Sequence, residues 1–360
     1  MYEINIVFVA LIVFLAGVVS SKSKTTPVLL ELIAGVIIGN LFLIKINPTL
    51  DVLSNIGITV LMYIAGLEID FDFMKSKLSP CLYMGLSSFF IPFGLIYLFC
   101  YFPYNIPHVT SLIISLALST TSVAIAFTVL SSKGKLNEEK KTILSAVMVI
   151  DVMSMIFLGF FSSAFSYFTL LFLILMVVLT YFFPYLGKRI FKKREKTTIE
   201  LELKFVLFSL LCLSFMSEHA GLEPALIAFF FGALTSEFIV GHIELQKQLN
   251  GIAFGFLTPI FFFVTGTKIN VLLAFENLYF LIFLFLIAFS SKYYSALFAI
   301  KKYFRKNASY YAKLFSAQLT FGLIAITFGL QKGILDEKLF SVIGLIIILC
   351  SSIGFFAKEK

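Results

Sequence analysis

Apolar runs about as long as a bilayer is thick recur from one end of this 360-residue chain to the other. A helix needs about 20 apolar residues to cross the hydrocarbon core. Runs approaching that length lie near residues 4–19, 26–44, 53–71, 78–98, 107–131, 142–164, 166–187, 202–218, 222–240, 251–270, 275–299, 307–331 and 335–357. Such a series rules out a set of soluble domains. Hydrophobic residues make up 60% of the chain and charged ones 13%, against roughly 45–50% and about 25% in soluble domains. The expected fold is therefore an all-α polytopic membrane protein with thirteen transmembrane helices. Only Phe165-Ser166-Tyr167 separates the sixth and seventh runs, so a count of twelve stays open.

The charges test that topology independently. With the N-terminus outside, 23 of the 28 basic residues fall on one side, in segments such as "SKSK" (21–24), "SKGKLNEEKK" (132–141), "GKRIFKKREK" (187–196) and "KKYFRK" (301–306). The other side has only Lys45, Lys268, Lys332 and Lys338. This is the positive-inside asymmetry. It places the C-terminus in the cytoplasm, and the expected location is the cell inner membrane. The net charge of +8 is thus a topology signal and implies no nucleic-acid partner. "GKRIFKKREK" could touch anionic membrane lipids, although a solvated loop accounts for it as well. The first run has no basic residue before it and no small-x-small cleavage signal, so it reads as a retained helix. Cys81, Cys100, Cys212 and Cys350 lack metal or redox spacing and read as apolar filler.

The chain also echoes itself at offsets near 200 residues. "GLEID" (66–70) resembles "GTKIN" (266–270), and "LIAGVIIG" (32–39) resembles "FFFGALTS" (229–236), with Gly35 and Gly232 in register. The first pentapeptide ends a span on the inside and the second ends one on the outside. Equivalent segments facing opposite ways define an inverted-topology repeat, the architecture of many secondary transporters.

Polar groups inside the apolar runs point to a site. The fifth span holds four consecutive hydroxyls, Ser119, Thr120, Thr121 and Ser122. They can bond back to their own helix, or mark a place where the helix unwinds and its oxygens coordinate a small cation. Asp151 lies at mid-depth in the sixth span, where a charge is expensive and is usually kept for an aqueous path or a partner. A carboxylate there can hold a proton or a cation, but not both comfortably. Lys292 lies well inside the eleventh span, eight residues before Lys301, so snorkelling is awkward and an internal counter-charge fits better. Glu31, Glu68, Asp70, Glu218 and His219 lie near span ends and read as boundary or scaffold residues.

Several segments, in order, resemble the monovalent cation:proton antiporter-2 family, which includes the NapA- and Kef-type transporters. They are "PVLLELIAGVIIG" (27–39), "ALSTTSVAI" (117–125), "MVIDVMSMI" (148–156), "GLEPALIAFFFG" (221–232), "TPIFFFVTGTKIN" (258–270) and "IAFSSKYYSAL" (287–297). The resemblance implies interrupted crossing helices in a mobile core domain, with core elements around 78–164 and 275–331, and a panel domain that forms a homodimer. It implies exchange of Na+ or K+, with Li+ also admitted, against H+ by alternating access, and no cofactor. It assigns Asp151 to the shared proton and cation site, Thr120 and Thr121 to the unwound crossing, and Lys292 to a supporting charge. Three departures stand out. Ile150 replaces the Asp, Asn or Gln that usually precedes the binding aspartate. "SAQLTFGLIA" (316–325), in the expected second broken helix, lacks the family's "RGE" and offers only Gln318 and Thr320 as polar substitutes. The chain stops at Lys360 after its last span, so no soluble regulatory domain is expected.

A cation channel or uniporter, and a non-transporting sensor or scaffold, remain alternatives to an antiporter at this stage. A membrane-embedded enzyme does not: the chain has no HExxH, no GxSxG and no pair of catalytic residues.

Overall fold

The computed structural model describes residues 2–23, 25–41, 47–68, 76–131, 137–162, 200–219, 222–240 and 242–357, together with residues 73 and 178. The expected seventh span apart from residue 178, the basic segment 187–196 and Asp70 lie outside the described residues. The helices are α1 (Tyr2–Ser23), α2 (Pro27–Asn40), α3 (Pro48–Leu67), α4 (Leu78–Tyr101), α5 (His108–Ser119), α6 (Val123–Ser131), α7 (Glu138–Ser162), α8 (Leu201–His219) and α9 (Pro224–Val240). They continue with α10 (Ile243–Ile252), a π-helical turn (Ala253–Leu257), α11 (Thr258–Thr267), α12 (Val271–Phe275), α13 (Leu278–Tyr303), α14 (Ala308–Phe315), α15 (Leu319–Gln331) and α16 (Glu337–Phe355). The remaining twelve expected spans each fall on one or more of these helices. Among the described residues, nine stretches are long and apolar enough to cross a membrane, and Pro27–Asn40 and Pro224–Ser236 are shorter apolar helices.

Local chemistry sets several boundaries. Pro27, Pro48 and Pro224 each open a helix, where a missing N–H leaves no intrahelical bond unmade. Pro48 also moves the start of the third span five residues ahead of the hydropathy estimate, with Asp51 in its first turn. The tenth span likewise starts earlier, at Ile243, because the more polar α10 runs through the π turn into α11. Asp336 caps α16 by accepting from the Leu339 N–H at 2.7 Å.

The chain divides into two compact units. One comprises Met1–Asn47, Asp70–Ser154 and Phe262–Lys360, and the other comprises Pro48–Ile69 and Met155–Phe261. Each contains a helix crossing that only glycine permits. In the first unit, a Cβ on Gly35 of α2 would collide with the Phe263 carbonyl of α11, and one on Gly266 would collide with the Leu32 carbonyl. In the second unit, a Cβ on Gly66 of α3 would strike the Phe229 carbonyl of α9, and one on Gly232 would strike the Tyr63 carbonyl. Such close backbone approach is what small residues allow between membrane helices.

The two crossings are the same contact made twice. Gly35 corresponds to Gly232 and Gly66 to Gly266, and in every case the obstructing carbonyl lies three residues before the partner glycine. The repeat continues along the chain: α4 and α13 start at Leu78 and Leu278, α5 and α14 at His108 and Ala308, and α7 and α16 at Glu138 and Glu337. Two short sequence echoes thus extend to a repeat of whole elements.

Candidate functional site

All the residues that form the site belong to the first unit. The fifth span breaks where the four hydroxyls lie. Helix α5 ends at Ser119, Thr120 is extended (φ −71°, ψ 171°), and α6 begins at Val123. The expected second break also occurs, between the end of α14 at Phe315 and the start of α15 at Leu319. A break inside a membrane protein exposes helix-end N–H and C=O groups that must find partners within the protein.

The two breaks supply many of those partners to each other. The Ser122 N–H donates to the Ala317 carbonyl at 2.6 Å. The Thr121 hydroxyl donates to the Phe315 carbonyl at 2.9 Å. Ser122 Oγ and Thr320 Oγ1 share a hydrogen bond of 3.0 Å, and Gln318 Nε2 donates to the Leu118 carbonyl at 2.7 Å. The hydroxyls therefore divide into two kinds. Ser119 bonds back to the Ser115 carbonyl and Thr120 to the Ala117 carbonyl, the latter at 3.1 Å. Thr121 and Ser122 reach across to the second broken helix.

Lys292 completes the end of α5. Its side chain is fully buried, and its ammonium donates to the Ser119 carbonyl and, at 2.8 Å, to the Ser88 carbonyl of α4. Helix geometry leaves both acceptors without a backbone donor. Ser119 ends its helix. Ser88 lies four residues before Pro92, inside α4, and proline has no N–H to return. With Ser119 Oγ on the Leu116 carbonyl at 3.3 Å, each of the last four carbonyls of α5 has a side-chain donor. A cation at this helix end also opposes the partial negative charge of the helix dipole.

Asp151 lies on α7 with 3% of its surface exposed, in the same unit as Lys292. Helix α4 links the two. A Cβ on Gly85 would lie 2.8 Å from the Ala146 carbonyl and from Val149 Cβ, so α4 packs tightly on α7 two residues before Asp151 and three before Ser88. Ile150 is buried and contributes its carbonyl to Ser154 Oγ at 2.8 Å, and no side-chain oxygen.

Several other candidates make none of these contacts. Glu218 and His219 are exposed at the end of α8, and His219 Nδ1 bonds to the Phe215 carbonyl at 2.9 Å. Glu68 is exposed at the end of α3. Glu31 is buried in the first part of α2, deeper than a boundary residue. Among the described residues the four cysteines are free thiols, and no group of His, Cys, Asp or Glu suits a resident metal. Ser88 and Pro92 escape sequence reading. The available signal is a proline inside an apolar span, which frees the carbonyl four residues earlier.

The chain matches the family described as "Sodium/hydrogen exchanger, transmembrane" over residues 8–358. It belongs to the sodium/hydrogen exchanger family. As a member, it is a multi-pass membrane transporter that performs secondary cation/proton antiport, and it is not an enzyme. It is similar to a probable Na+/H+ antiporter 3 of Methanocaldococcus jannaschii, 28% identical over 95% of this chain and 92% of that protein. It is 25% identical to a Na+/H+-K+ antiporter, GerN, of Bacillus cereus, over 96% of this chain and 94% of the relative. Among solved structures, the sodium proton antiporter MjNhaP1 of Methanocaldococcus jannaschii superposes with a TM-score of 0.70, covering 98% of this chain and 94% of that one. At 14% identity, that likeness speaks for the exchanger fold alone.

Proposed function

We propose that this exchanger carries Na+ or K+ against H+ across the cytoplasmic membrane by alternating access, with Asp151 as the position the two ions share. The observation that carries this reading is the placement of Asp151: a carboxylate 3% exposed, in the same unit as both helix breaks and the buried Lys292. An ionised carboxylate is expensive at membrane depth. Neutralised by a proton or by a monovalent cation, it can change sides, and empty it cannot. That difference couples the two fluxes.

Thr121 and Ser122 on the first break, with Thr320 on the second, supply further oxygens for the cation. Lys292 supports the site by donating to the Ser88 and Ser119 carbonyls, and with no acid at position 150 to pair with, it is a structural lysine and not a proton carrier. With one carboxylate and no oxygen at Ile150, one cation exchanges for one proton and the cycle moves no net charge. The distribution of basic residues supports an outside N-terminus and a cytoplasmic C-terminus. The family resemblance supports a homodimer.

The test is proton flux in proteoliposomes preloaded with a pH gradient. Addition of NaCl, KCl or LiCl in turn is expected to collapse the gradient in the wild type for at least one cation. Cation current in the absence of any pH gradient would identify a channel or uniporter instead.

A further inference from the structure

Resting on the antiport reading above, we infer that Gln318 supplies its side-chain carbonyl oxygen, Oε1, as a ligand of the transported monovalent cation. The argument begins with the chemistry of the amide. Leu118 offers Gln318 a backbone carbonyl, which only accepts, so the NH2 end must face it, as it does at 2.7 Å. That orientation turns Oε1 the other way. Oε1 is fully buried and meets no donor among the described residues.

An amide oxygen so placed is costly unless a positive partner visits it, since an unsatisfied buried acceptor carries its whole desolvation penalty. The nearby donors are engaged elsewhere. Lys292 is on Ser88 and Ser119, Thr121 on Phe315, and the Ser122 N–H on Ala317. The last-turn carbonyls of α5 are equally committed, so they are not the oxygens a cation would find first. Gln318 is also held in place. Its own N–H donates to Ser351 Oγ of α16 at 3.3 Å, and its amide nitrogen is fixed on α5. The direction of Oε1 is therefore set by the break before any ion arrives, and preorganised oxygens suit a small cation that must shed water.

This role gives the neutral residue a function in the second broken helix. Asp151 contributes the negative charge and Gln318 a dipole, so cation and proton compete for the carboxylate while only the cation gains from the amide. Gln318 then sets affinity and selectivity among Na+, K+ and Li+ without altering proton coupling.

Two substitutions separate this role from a purely structural tie. Gln318→Met removes both the donor and the oxygen at nearly constant length. Gln318→Glu keeps an oxygen in place but abandons the bond to Leu118. A ligand role predicts that Gln318→Met raises the half-saturating cation concentration about tenfold, the loss expected for one charge-assisted contact, whereas Gln318→Glu binds at least as tightly as the wild type and changes the order of preference among Na+, K+ and Li+. A structural tie predicts that both variants weaken equally, with the order unchanged. If Gln318→Met does not fold, the selectivity of Gln318→Glu decides: an unchanged order overturns the proposal. Wild-type flux measured alongside keeps the two readings apart. No cation-driven proton flux in the wild type defeats the antiport reading. Normal wild-type flux with unchanged affinity and selectivity in the variants defeats the role of Gln318.

Discussion

Helices α5 and α6 part across Thr120-Thr121-Ser122, and helices α14 and α15 part across Ser316-Ala317-Gln318. The backbone event is the same, and so is its place in the repeat. The chemistry attached to it differs. The first break carries three hydroxyls in a row and is followed by α7 with Asp151. The second carries one hydroxyl and an amide and is followed by α16, where Ser351, 200 residues after Asp151, accepts the Gln318 N–H. The repeat therefore supplies a symmetric frame, and divergence within it places the acid Asp151 in the first half and the buried Lys292 in the second. Among the described residues of the second break and α16 there is no matching carboxylate, so the asymmetry argues for a site with one acid.

Substitutions at matched positions test that contrast. The largest effect belongs to Asp151→Asn, which keeps the volume and removes the titratable charge. Cation-driven proton flux should fall to that of empty liposomes while the purified variant stays monodisperse. Ser351→Ala, next to the matching position Cys350 on α16, should retain transport. Comparable losses at both positions would erase the asymmetry.

Next comes Lys292→Ala. It leaves the Ser88 and Ser119 carbonyls buried without their donor, at about 1–3 kcal/mol each, so a clear fall in melting temperature should precede any change in coupling. A variant that melts like the wild type yet turns exchange electrogenic would make Lys292 a proton carrier. Thermal unfolding of the detergent-solubilised protein and flux under a clamped potential measure the two outcomes.

The threonines should differ by a smaller margin. Thr121→Val cuts a bond between the two breaks, whereas Thr120→Val cuts one within α5. Apparent cation affinity should weaken several-fold for the first, the scale of one hydrogen bond, and less for the second. Equal effects would mean that the contact between the breaks does not organise the site. The smallest effect belongs to Pro92→Ala, which gives Ser88 a backbone donor. On its own it should alter flux little. Combined with Lys292→Ala it should recover part of the lost stability, and a strictly additive pair would deny that the lysine serves the Ser88 carbonyl.

Much of this frame is legible in the residues. Hydropathy places the spans because lipid demands length and apolarity, and four hydroxyls in a row mark the first break because few helices keep them at mid-depth. Asp151 is visible because a lone acid at that depth is expensive. The partners of Lys292 are not visible, since they depend on a carbonyl that Pro92 frees on another helix, and only packing brings α4 to α13. The division of the hydroxyls into back-bonded and bridging pairs depends in the same way on where α14 stops. Gly35, Gly66, Gly232 and Gly266 lie between these cases: their register suggests a repeat, and their mutual contacts appear only when the helices cross.

The central claim is that cation and proton compete for Asp151 alone. Its most direct test is proton release from the purified, weakly buffered protein on addition of the transported cation, followed with a pH-indicating dye. The account predicts a single proton released for each cation bound by the wild type, and none from Asp151→Asn. Release that persists in Asp151→Asn, or two protons per cation in the wild type, would contradict it.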